Sequence, residues 1–476
     1  MIKGFETTLM LLILIVSLTI LIFVFLILKQ RSALKKLDGF QGTGHWFSGH
    51  TSEIRKIGKV TLLKKFPYYF KFSEGLFRYR ICCYDPDLIR QVIHNSDKAT
   101  DRFNIAWLTY RGDNCIEHKT IGPDLKAYKR LIHKCYLLHL QQHFIKICRE
   151  VCMSSLQNLD ISDREVKTMD IRSFLSGIEY NLPMKLWMGE TTIKYKALVK
   201  SMVPDTGSHR KPDYTSILDY WQLGYETLEA FRYRKRIEQV HKKVLAIHRN
   251  KNLISRNKET ICNPVCILDH IISLEMREHH NMSDKDYTSF FLTHISLLKS
   301  IRRLFFWIIK SFAENTAWQD RIRHEIIKMK DNGMYSVENL QLESFRDLNM
   351  FVCECLRMYP SELLTRRVTQ SFTFDGHVIP AGTLIDIDLF SLHRNPLYWE
   401  LPDKFMPERF IEGCGKHLYQ YLPFSTGHRM CPAKKFMMTM IKTVVITFVE
   451  RVKIRTVNNE NQELNGTYIE VRPTSA

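Results

Sequence analysis

The segment from Pro423 to Ala433, PFSTGHRMCPA, combines residue types that could hold a metal-centred cofactor. Gly427 permits the unusual backbone angles of a tight loop, and Pro432, directly after Cys431, suits the first turn of a helix. Exposed backbone N–H groups, the positive end of a helix dipole and the nearby Arg429 all favour a thiolate at Cys431. Because an electron-rich thiolate ligand promotes O–O bond cleavage at haem iron, we predict that Cys431 is a metal ligand. The alternative is an ordinary buried cysteine, the more common fate of an isolated thiol.

The composition excludes several classes of protein that could contain this loop. The chain has 476 residues, 45% of them hydrophobic, with 20 Gly and 15 Pro, which suits a large buried core and excludes a disordered or fibrous protein. Its 12 cysteines are scattered without a repeated C-x-x-C pair, which argues against a disulfide scaffold and structural zinc and favours a reducing compartment. The formal net charge of +19 indicates an acidic partner: nucleic acid, anionic lipid or an acidic protein surface.

The N-terminus predicts a membrane anchor. The run from Leu9 to Leu28 is apolar apart from Ser17 and Thr19, and a helix of that length spans roughly 30 Å, the thickness of the hydrocarbon core of a bilayer. The run is longer than the apolar region of a signal peptide, and no small-residue cleavage site follows it. By the positive-inside rule, the basic residues after the run place the rest of the chain in the cytosol: Lys29, Arg31, Lys35 and Lys36.

Beyond the anchor, the pattern predicts a mainly α-helical protein with small β-sheets. We expect an anchor with its flanks at 1–30, a Gly-rich linker at 31–53 and a single domain at 54–476. Ser283 is predicted to cap a long helix, and Ser336 with Asn339 to open another. The last helix follows Pro432. Strands are expected in three places: Tyr68–Phe72, Phe77–Cys83 and several pieces between Ser371 and Asp388.

The cysteine loop resembles the signature of the cytochrome P450 superfamily, the haem-thiolate monooxygenases. The loop matches the pattern F-x-x-G-x-R-x-C-x-A at Phe424, Gly427, Arg429 and Cys431. The resemblance covers most of the chain after the anchor and is strongest from about Trp307 to Val449. It implies the cytochrome P450 fold and a haem b cofactor with Cys431 as axial ligand, and it places Phe424 and Gly427 in the cofactor-binding loop.

The resemblance also implies roles for charged residues elsewhere in the chain. Glu354 and Arg357 match an E-x-x-R pair whose members meet one helical turn apart, and Arg409 in FMPERF would complete a buried structural cluster with them. Arg367 and Arg429 match positions that pair with haem propionates, because the planar guanidinium can bind both carboxylate oxygens.

Two helices depart from the family pattern. The helix that usually presents a Trp and an Arg to a propionate has Leu125 and Lys129 instead, with Arg130 as a neighbour that could substitute. Since Lys binds a carboxylate as a point charge, we expect weaker anchoring there.

In the distal helix, the family pattern A-G-x-D/E-T places Leu297 at the glycine position, Lys299 at the acid position and Ser300 at the alcohol position. Lys299 and Ser300 are therefore the candidate proton-delivering residues, and a lysine delivers protons only if burial lowers its pKa.

The leading hypothesis is a membrane-anchored monooxygenase that inserts one oxygen atom from O₂ into a hydrophobic substrate, such as a sterol, a fatty acid or a lipophilic foreign compound. The resemblance implies an endoplasmic reticulum membrane location and electrons from an NADPH-cytochrome reductase, with cytochrome b5 as a further donor. The resemblance also implies that an acidic electron donor docks on the face that contains Lys434 and Lys435, so the positive charge is assigned to a protein partner and not to nucleic acid. Two alternatives remain: a reductase-independent haem-thiolate isomerase or dehydratase, and a haem-binding protein that has lost catalysis.

Overall fold

A computed structural model describes most of the chain and divides it into two compact units. The described residues are 2–39, 50–74, 78–94, 100–102, 123–135, 141–158, 166–189, 232, 235–250, 266–278, 282–333, 344–360, 364–413, 418–457 and 468–474. The first unit comprises Met1–Phe103, Pro212–Trp221 and Glu362–Glu400. The second unit comprises Asn104–Lys211, Gln222–Ser361 and Leu401–Ala476.

The first unit begins with a long helix, α1, at Ile2–Leu34. Its described side chains from Met10 to Leu28 include many large apolar residues that are exposed, among them Leu21 at 66%. Among the residues that the structure describes, none of the helices has both the length and the apolar character needed to cross a membrane. Shorter helices follow at Thr51–Ile57 (α2), Lys59–Lys65 (α3), Pro86–His94 (α4) and, later in the chain, Leu389–Leu392, which is α13.

A mixed sheet forms the centre of the first unit. Its strands are β1 (Tyr69–Glu74), β2 (Arg78–Cys83), β3 (Thr100–Arg102), β5 (Leu364–Val368) and β8 (Leu384–Ile387), in the order β1-β2-β8-β5-β3. Only the β2–β8 pair is parallel, with Ile81 opposite Ile385. All four residues of β8 are buried, as expected for a central strand covered on both faces. A separate hairpin joins β6 (Phe372–Phe374) to β7 (His377–Ile379).

The second unit is mainly helical. Its helices are α5 (Pro123–Cys135), α6 (Gln141–Gln157), α7 (Ile171–Met188), α8 (235–250), α9 (Ile267–Glu278), α10 (Asp284–Glu314), α11 (Thr316–Asp331), α12 (Arg346–Met358) and α14 (Lys434–Arg451). Short 3₁₀ segments lie at Pro407–Phe410 and Gly427–Arg429. A small antiparallel sheet has β10 (Tyr468–Pro473) between β4 (Lys167–Asp170) and β9 (Val452–Thr456).

Helix α14 forms the core of the second unit. Nearly every residue from Phe436 to Val449 is buried, as expected for a helix surrounded by other elements on all sides. Helices α6, α11 and α12 pack against it, and α10 packs against α7 and α12. Arg323 of α11 donates to the carbonyls of Val449 and Val452, which satisfies acceptors left open at the end of α14.

The predicted fold class, mainly helical with small sheets, is confirmed. The cap at Ser283 is also confirmed: its hydroxyl accepts from the Asp286 N–H, and the Asp286 carboxylate accepts from the Ser283 N–H at 3.0 Å. Ser336 and Asn339, which were expected to open another helix, lie outside the described residues.

Strand β1 runs two residues further than predicted, through Glu74. The reason is polar pairing: the Ser73 carbonyl accepts from the His50 N–H at 2.9 Å, and the Ser73 hydroxyl contacts His50 Nδ1 at 2.9 Å. These bonds favour the strand conformation at Ser73, although serine more often occurs in turns.

The described part of the predicted 31–53 linker is bound to the sheet. Helix α1 continues to Leu34, and the buried Lys71 of β1 donates through Nζ to the carbonyls of Leu34 at 2.9 Å and Lys35 at 2.8 Å. The Lys71 N–H donates to the Asp38 carbonyl at 2.8 Å. Thus a lysine caps the C-terminal end of α1, where a cation is favoured by the helix dipole.

Candidate haem-thiolate site

Cys431 lies in a short loop that leads into α14. Its N–H donates to the carbonyl of Phe424 at 3.0 Å, which closes the loop on itself. The Cys431 side chain is half-buried, three residues before the helix starts at Lys434. A thiol placed there is near the N-terminal end of a helix dipole, which stabilises the thiolate.

The loop needs left-handed backbone at two positions. Ser425 has φ +60° and Gly427 has φ +67°. Glycine tolerates this conformation without steric cost, whereas a serine there is held by its surroundings. The Ser425 hydroxyl is buried and has no hydrogen-bond partner among the described residues. An unpaired buried hydroxyl costs free energy unless a ligand satisfies it.

Lys129 connects α5 to the cysteine loop. Its Nζ donates to the carbonyl of His428 and, at 3.1 Å, to that of Met430. These two carbonyls flank Arg429, which is half-buried. Arg130 is exposed, and because successive helical residues point about 100° apart, it cannot share the position of Lys129. Of the two predicted cations on α5, the structure brings Lys129 to the loop.

Glu354, Arg357 and Arg409 lie together in the interior of the second unit. Arg357 binds Glu354 through two parallel bonds, Nε to Oε2 at 2.7 Å and Nη2 to Oε1 at 2.9 Å, and both side chains are fully buried. Arg409 Nε adds a bond to Glu354 Oε1 at 3.2 Å. The Met406 N–H donates to the same oxygen at 2.7 Å. The carboxylate therefore holds Met406 and the 3₁₀ segment Pro407–Phe410 against α12.

Helix α12 also supports the chain that leads into the cysteine loop. The Tyr421 hydroxyl donates to the carbonyl of Cys353 at 2.9 Å, and the Tyr421 ring lies 5.1 Å from that of Phe410. Further along, Trp307 of α10 stacks on Tyr359 with ring centroids 4.0 Å apart. The contacts of Tyr421 hold the chain before the loop, and the Trp307–Tyr359 stack joins α10 to the C-terminal end of α12.

Arg367 lies on β5 in the first unit, where its side chain is exposed and its Cα is opposite Asp101 of β3. The strand is held by a buried ion pair: Arg80 of β2 donates from Nε to Asp386 Oδ2 at 2.7 Å and from Nη2 to Asp386 Oδ1 at 2.8 Å. The Thr365 hydroxyl donates to Asp386 Oδ1 at 2.6 Å. This network fixes the direction of β5 beside Arg367.

Fully buried cysteines that lie outside a cluster of metal-binding side chains are poor candidates for a thiolate ligand. Burial raises the thiol pKa of several such cysteines well above the ordinary value: Cys82, Cys148 and Cys355. Of the free cysteines among the described residues, only Cys353 and Cys431 are half-buried. Cys353 lies within helix α12, so the loop position is particular to Cys431.

The candidate proton-delivering residues Lys299 and Ser300 lie in the middle of α10, and Leu297 lies two residues before Lys299. The side chains of these three residues are outside the described part of the structure. The helical backbone of this stretch is described and continues without interruption from Asp284 to Glu314.

The described residues fit a haem group. The loop offers a half-buried thiol, a half-buried guanidinium at Arg429 and a buried hydroxyl at Ser425, and α5 adds the ammonium group of Lys129. A thiolate suits ferric or ferrous iron, and cations with a hydroxyl donor suit carboxylate oxygens. Fold and donor set together define the class of a haem-thiolate protein.

Comparison with known proteins agrees with this class. The profile of the family described as Cytochrome P450 matches residues 41–469, so the chain belongs to the cytochrome P450 family. Cytochrome P450 4A2 of Rattus norvegicus is 25% identical over 90% of this chain and 86% of its own length. Cytochrome P450 4B1 of Homo sapiens is 25% identical over 88% of this chain and 85% of its own length.

A solved structure, titled retinoic acid bound cyanobacterial CYP120A1, superposes with a TM-score of 0.75 over 92% of this chain and all of that chain, at 14% identity. This likeness shows the fold. Family membership makes the chain an oxidoreductase of the monooxygenase type whose cofactor is haem with a cysteine thiolate as axial ligand.

Three features of the site were not predicted from the sequence. The link from Lys129 to the loop carbonyls joins residues about three hundred positions apart, and the Arg80–Asp386 pair joins similarly distant strands. The unpaired hydroxyl of Ser425 depends on backbone angles that its residue type does not reveal. The sequence did contain a signal for the Arg80–Asp386 pair. In LIDIDL, Asp386 and Asp388 alternate with apolar residues, and an acid on a buried strand needs a partner.

Proposed function

We propose that the protein is a membrane-anchored haem-thiolate monooxygenase that inserts one oxygen atom from O₂ into a hydrophobic substrate, with Cys431 as the axial ligand. The observation that carries the proposal is the closed cysteine loop, in which the Cys431 N–H bonds to the Phe424 carbonyl at 3.0 Å directly before α14. Haem bound there supplies the redox centre at which dioxygen is cleaved. The chain supplies the ligand, the cofactor anchors and the route for electrons and protons.

In this proposal, cations on separate elements anchor the cofactor. Arg429 lies in the loop itself, and Lys129 reaches the loop carbonyls on both sides of it. We assign haem carboxylates to these two residues, and from the family resemblance we propose the same role for Arg367. No such role is proposed for Arg130, which is exposed on another face of α5. Phe424 and Gly427 shape the loop around the thiolate. Glu354, Arg357 and Arg409 hold the surrounding chain in place and do not touch the cofactor.

Electron supply is assigned to the surface at the start of α14. Lys434 and Lys435 are exposed, and the first turn of the helix contains no acidic residue. Positive charge at a helix N-terminus opposes the dipole and costs a few tenths of a kcal/mol per residue, so these lysines are explained better by an acidic partner than by helix stability. The proposed partner is an NADPH-dependent reductase, with cytochrome b5 as a further donor.

Proton delivery is assigned to Lys299 and Ser300 by their positions on α10. An ammonium group can act as the acid only if its surroundings lower its pKa toward neutrality. Strict dependence of turnover on NADPH and reductase is expected. Rapid conversion of an organic hydroperoxide without NADPH would instead favour the isomerase or dehydratase.

The membrane location is proposed from α1, whose exposed apolar side chains suit a lipid environment and are followed by basic residues on the cytosolic side. We therefore propose that the residues after the helix lie in the cytosol, at the endoplasmic reticulum membrane. A substrate that partitions into lipid, such as a sterol, a fatty acid or a lipophilic foreign compound, can then reach the protein from the bilayer.

The direct test is the carbon monoxide difference spectrum of the purified, reduced protein. Wild type is expected to show the Soret band of a thiolate-ligated haem. Cys431→Ser should lose that band, whereas Cys353→Ser, the other half-buried cysteine, should keep it. A thiolate-type band that survives in Cys431→Ser would overturn the assignment of the ligand.

A further inference from the structure

A second cluster of metal-binding side chains lies in the second unit, apart from the cysteine loop. His248 near the end of α8, Cys266 just before α9 and Asp269 in the first turn of α9 are all buried, with 3%, 2% and 4% of their surfaces exposed. Their ligand atoms lie within 4.8 Å of one another. Within the described residues, no other group of three or more such side chains meets this criterion.

The three side chains converge on one point. His248 Nδ1 lies 2.6 Å from Asp269 Oδ1 and 4.0 Å from Cys266 Sγ. A single imidazole nitrogen therefore faces both an oxygen and a sulfur donor. Burial raises the pKa of the Cys266 thiol, and the Asp269 N–H, which donates to Cys266 Sγ at 3.5 Å, offsets part of that effect.

We propose that His248, Cys266 and Asp269 form a binding site for a single zinc ion. Sulfur, imidazole nitrogen and carboxylate oxygen are the donors that Zn²⁺ uses in proteins, with bonds of about 2.3 Å to sulfur and about 2.0–2.2 Å to nitrogen and oxygen. Tetrahedral geometry at these lengths separates ligand atoms by roughly 3.3–3.6 Å. The observed separations of 2.6 and 4.0 Å lie on either side of that range, so shifts below about one ångström suffice.

Charge balance supports the choice of a divalent ion. A thiolate and a carboxylate carry two negative charges, and a neutral imidazole adds none, so Zn²⁺ makes the buried cluster neutral. On binding the ion, Cys266 would release its thiol proton to solvent, and His248 would carry its remaining proton on Nε2, so that Nδ1 is available as a ligand. The neighbouring cation Arg249 is directed elsewhere, to Asp284 at 3.0 Å and Glu275 at 3.8 Å.

The ion would join the end of α8 to the start of α9. Cys266 and Asp269 sit at the N-terminal end of α9, and His248 sits in the last turn of α8. A ligand that binds only the folded state stabilises it in proportion to its concentration. The site thus acts as a clamp between two helices and is independent of the haem chemistry.

The site is tested on the full-length holoprotein, purified in detergent with an affinity tag that contains no histidine, after growth in zinc-supplemented medium. Metal analysis by mass spectrometry gives zinc and iron per chain. We expect about one zinc per haem in wild type, and at least a tenfold lower ratio in Cys266→Ser and Asp269→Asn at unchanged haem content. Cys152→Ser, another fully buried cysteine, is the matched control and should keep its zinc.

Zinc-edge X-ray absorption on wild type provides a readout that does not depend on how the variants fold. One sulfur and two or three lighter neighbours are expected around the ion. Zinc below about one tenth per haem in wild type, equal zinc in wild type and Cys266→Ser, or a zinc environment without sulfur would each overturn the proposal. In those cases the cluster is a hydrogen-bonded helix cap.

Discussion

Removal of the charge on Glu354 should be among the most destabilising single changes in this protein. In Glu354→Gln the side chain keeps its shape, but the Arg357 guanidinium loses its anionic partner while remaining fully buried. The carboxylate now accepts four hydrogen bonds: two from Arg357 and one each from Met406 and Arg409. Breaking one side of a buried ion pair costs about 3–5 kcal/mol. Since whole domains are stable by only about 5–15 kcal/mol, this loss is a large share of the total.

The assay is urea unfolding of the detergent-solubilised holoprotein, followed by tryptophan fluorescence and by the Soret band. The matched control is Glu470→Gln, which breaks an Arg455–Glu470 pair with a 2.5 Å bond and side-chain exposures of 54% and 20%. Exposed pairs contribute about 0–1 kcal/mol, so this variant should unfold near wild type. Arg357→Met combined with Glu354→Gln should cost less than the sum of the two single changes, because each already disrupts the same pair. Equal unfolding midpoints for Glu354→Gln and Glu470→Gln would refute this reasoning.

Three further predictions concern other parts of the structure. Burial lowers the pKa of His294 to about 4, so as the pH falls below the unfolded value of about 6.5 the unfolded state takes up the proton first. Wild type should lose about 2 kcal/mol more than His294→Gln between pH 7 and pH 5, and parallel urea midpoints for the two proteins would contradict this. Gly427→Ala places a side chain at φ +67°, so it should lower the free energy of unfolding by about 1–2 kcal/mol and speed the loss of haem. The control Gly413→Ala, at φ +107°, should retain haem. Equal haem loss in the two variants would argue against a special role for the loop. Lys71→Met leaves the carbonyls of Leu34 and Lys35 without their ammonium donor, so trypsin should cleave after Lys35 and Lys36 faster than in wild type, and unchanged cleavage would show that the cap does not hold this segment.

Local patterns predicted much of this architecture. Strands β6 to β8 follow from alternation and turn residues between Ser371 and Asp388, and the start of α10 follows from the Ser283 cap, because both depend on neighbours a few positions away. The pairing of Glu354 with Arg357 was predictable for the same reason, because the two residues are three positions apart. By contrast, the Lys129 contact with the loop and the extension of β1 by His50 depend on long-range packing, which spacing along the chain does not encode.

Helix α12 supports the cysteine loop through one turn of its backbone and side chains. Glu354 fixes Met406 and Arg409, while the Cys353 carbonyl accepts from Tyr421, two residues before the loop begins. Because these bonds lie outside the loop, support and ligation are separable. Loss of Glu354 should weaken folding and cofactor retention together, whereas loss of the Cys431 thiol removes the ligand and leaves the Glu354 network intact. Cys431→Ser should therefore lose the thiolate spectrum while its apoprotein unfolds at the same urea concentration as wild-type apoprotein; a large shift in that midpoint would mean that the thiol itself holds the loop in place.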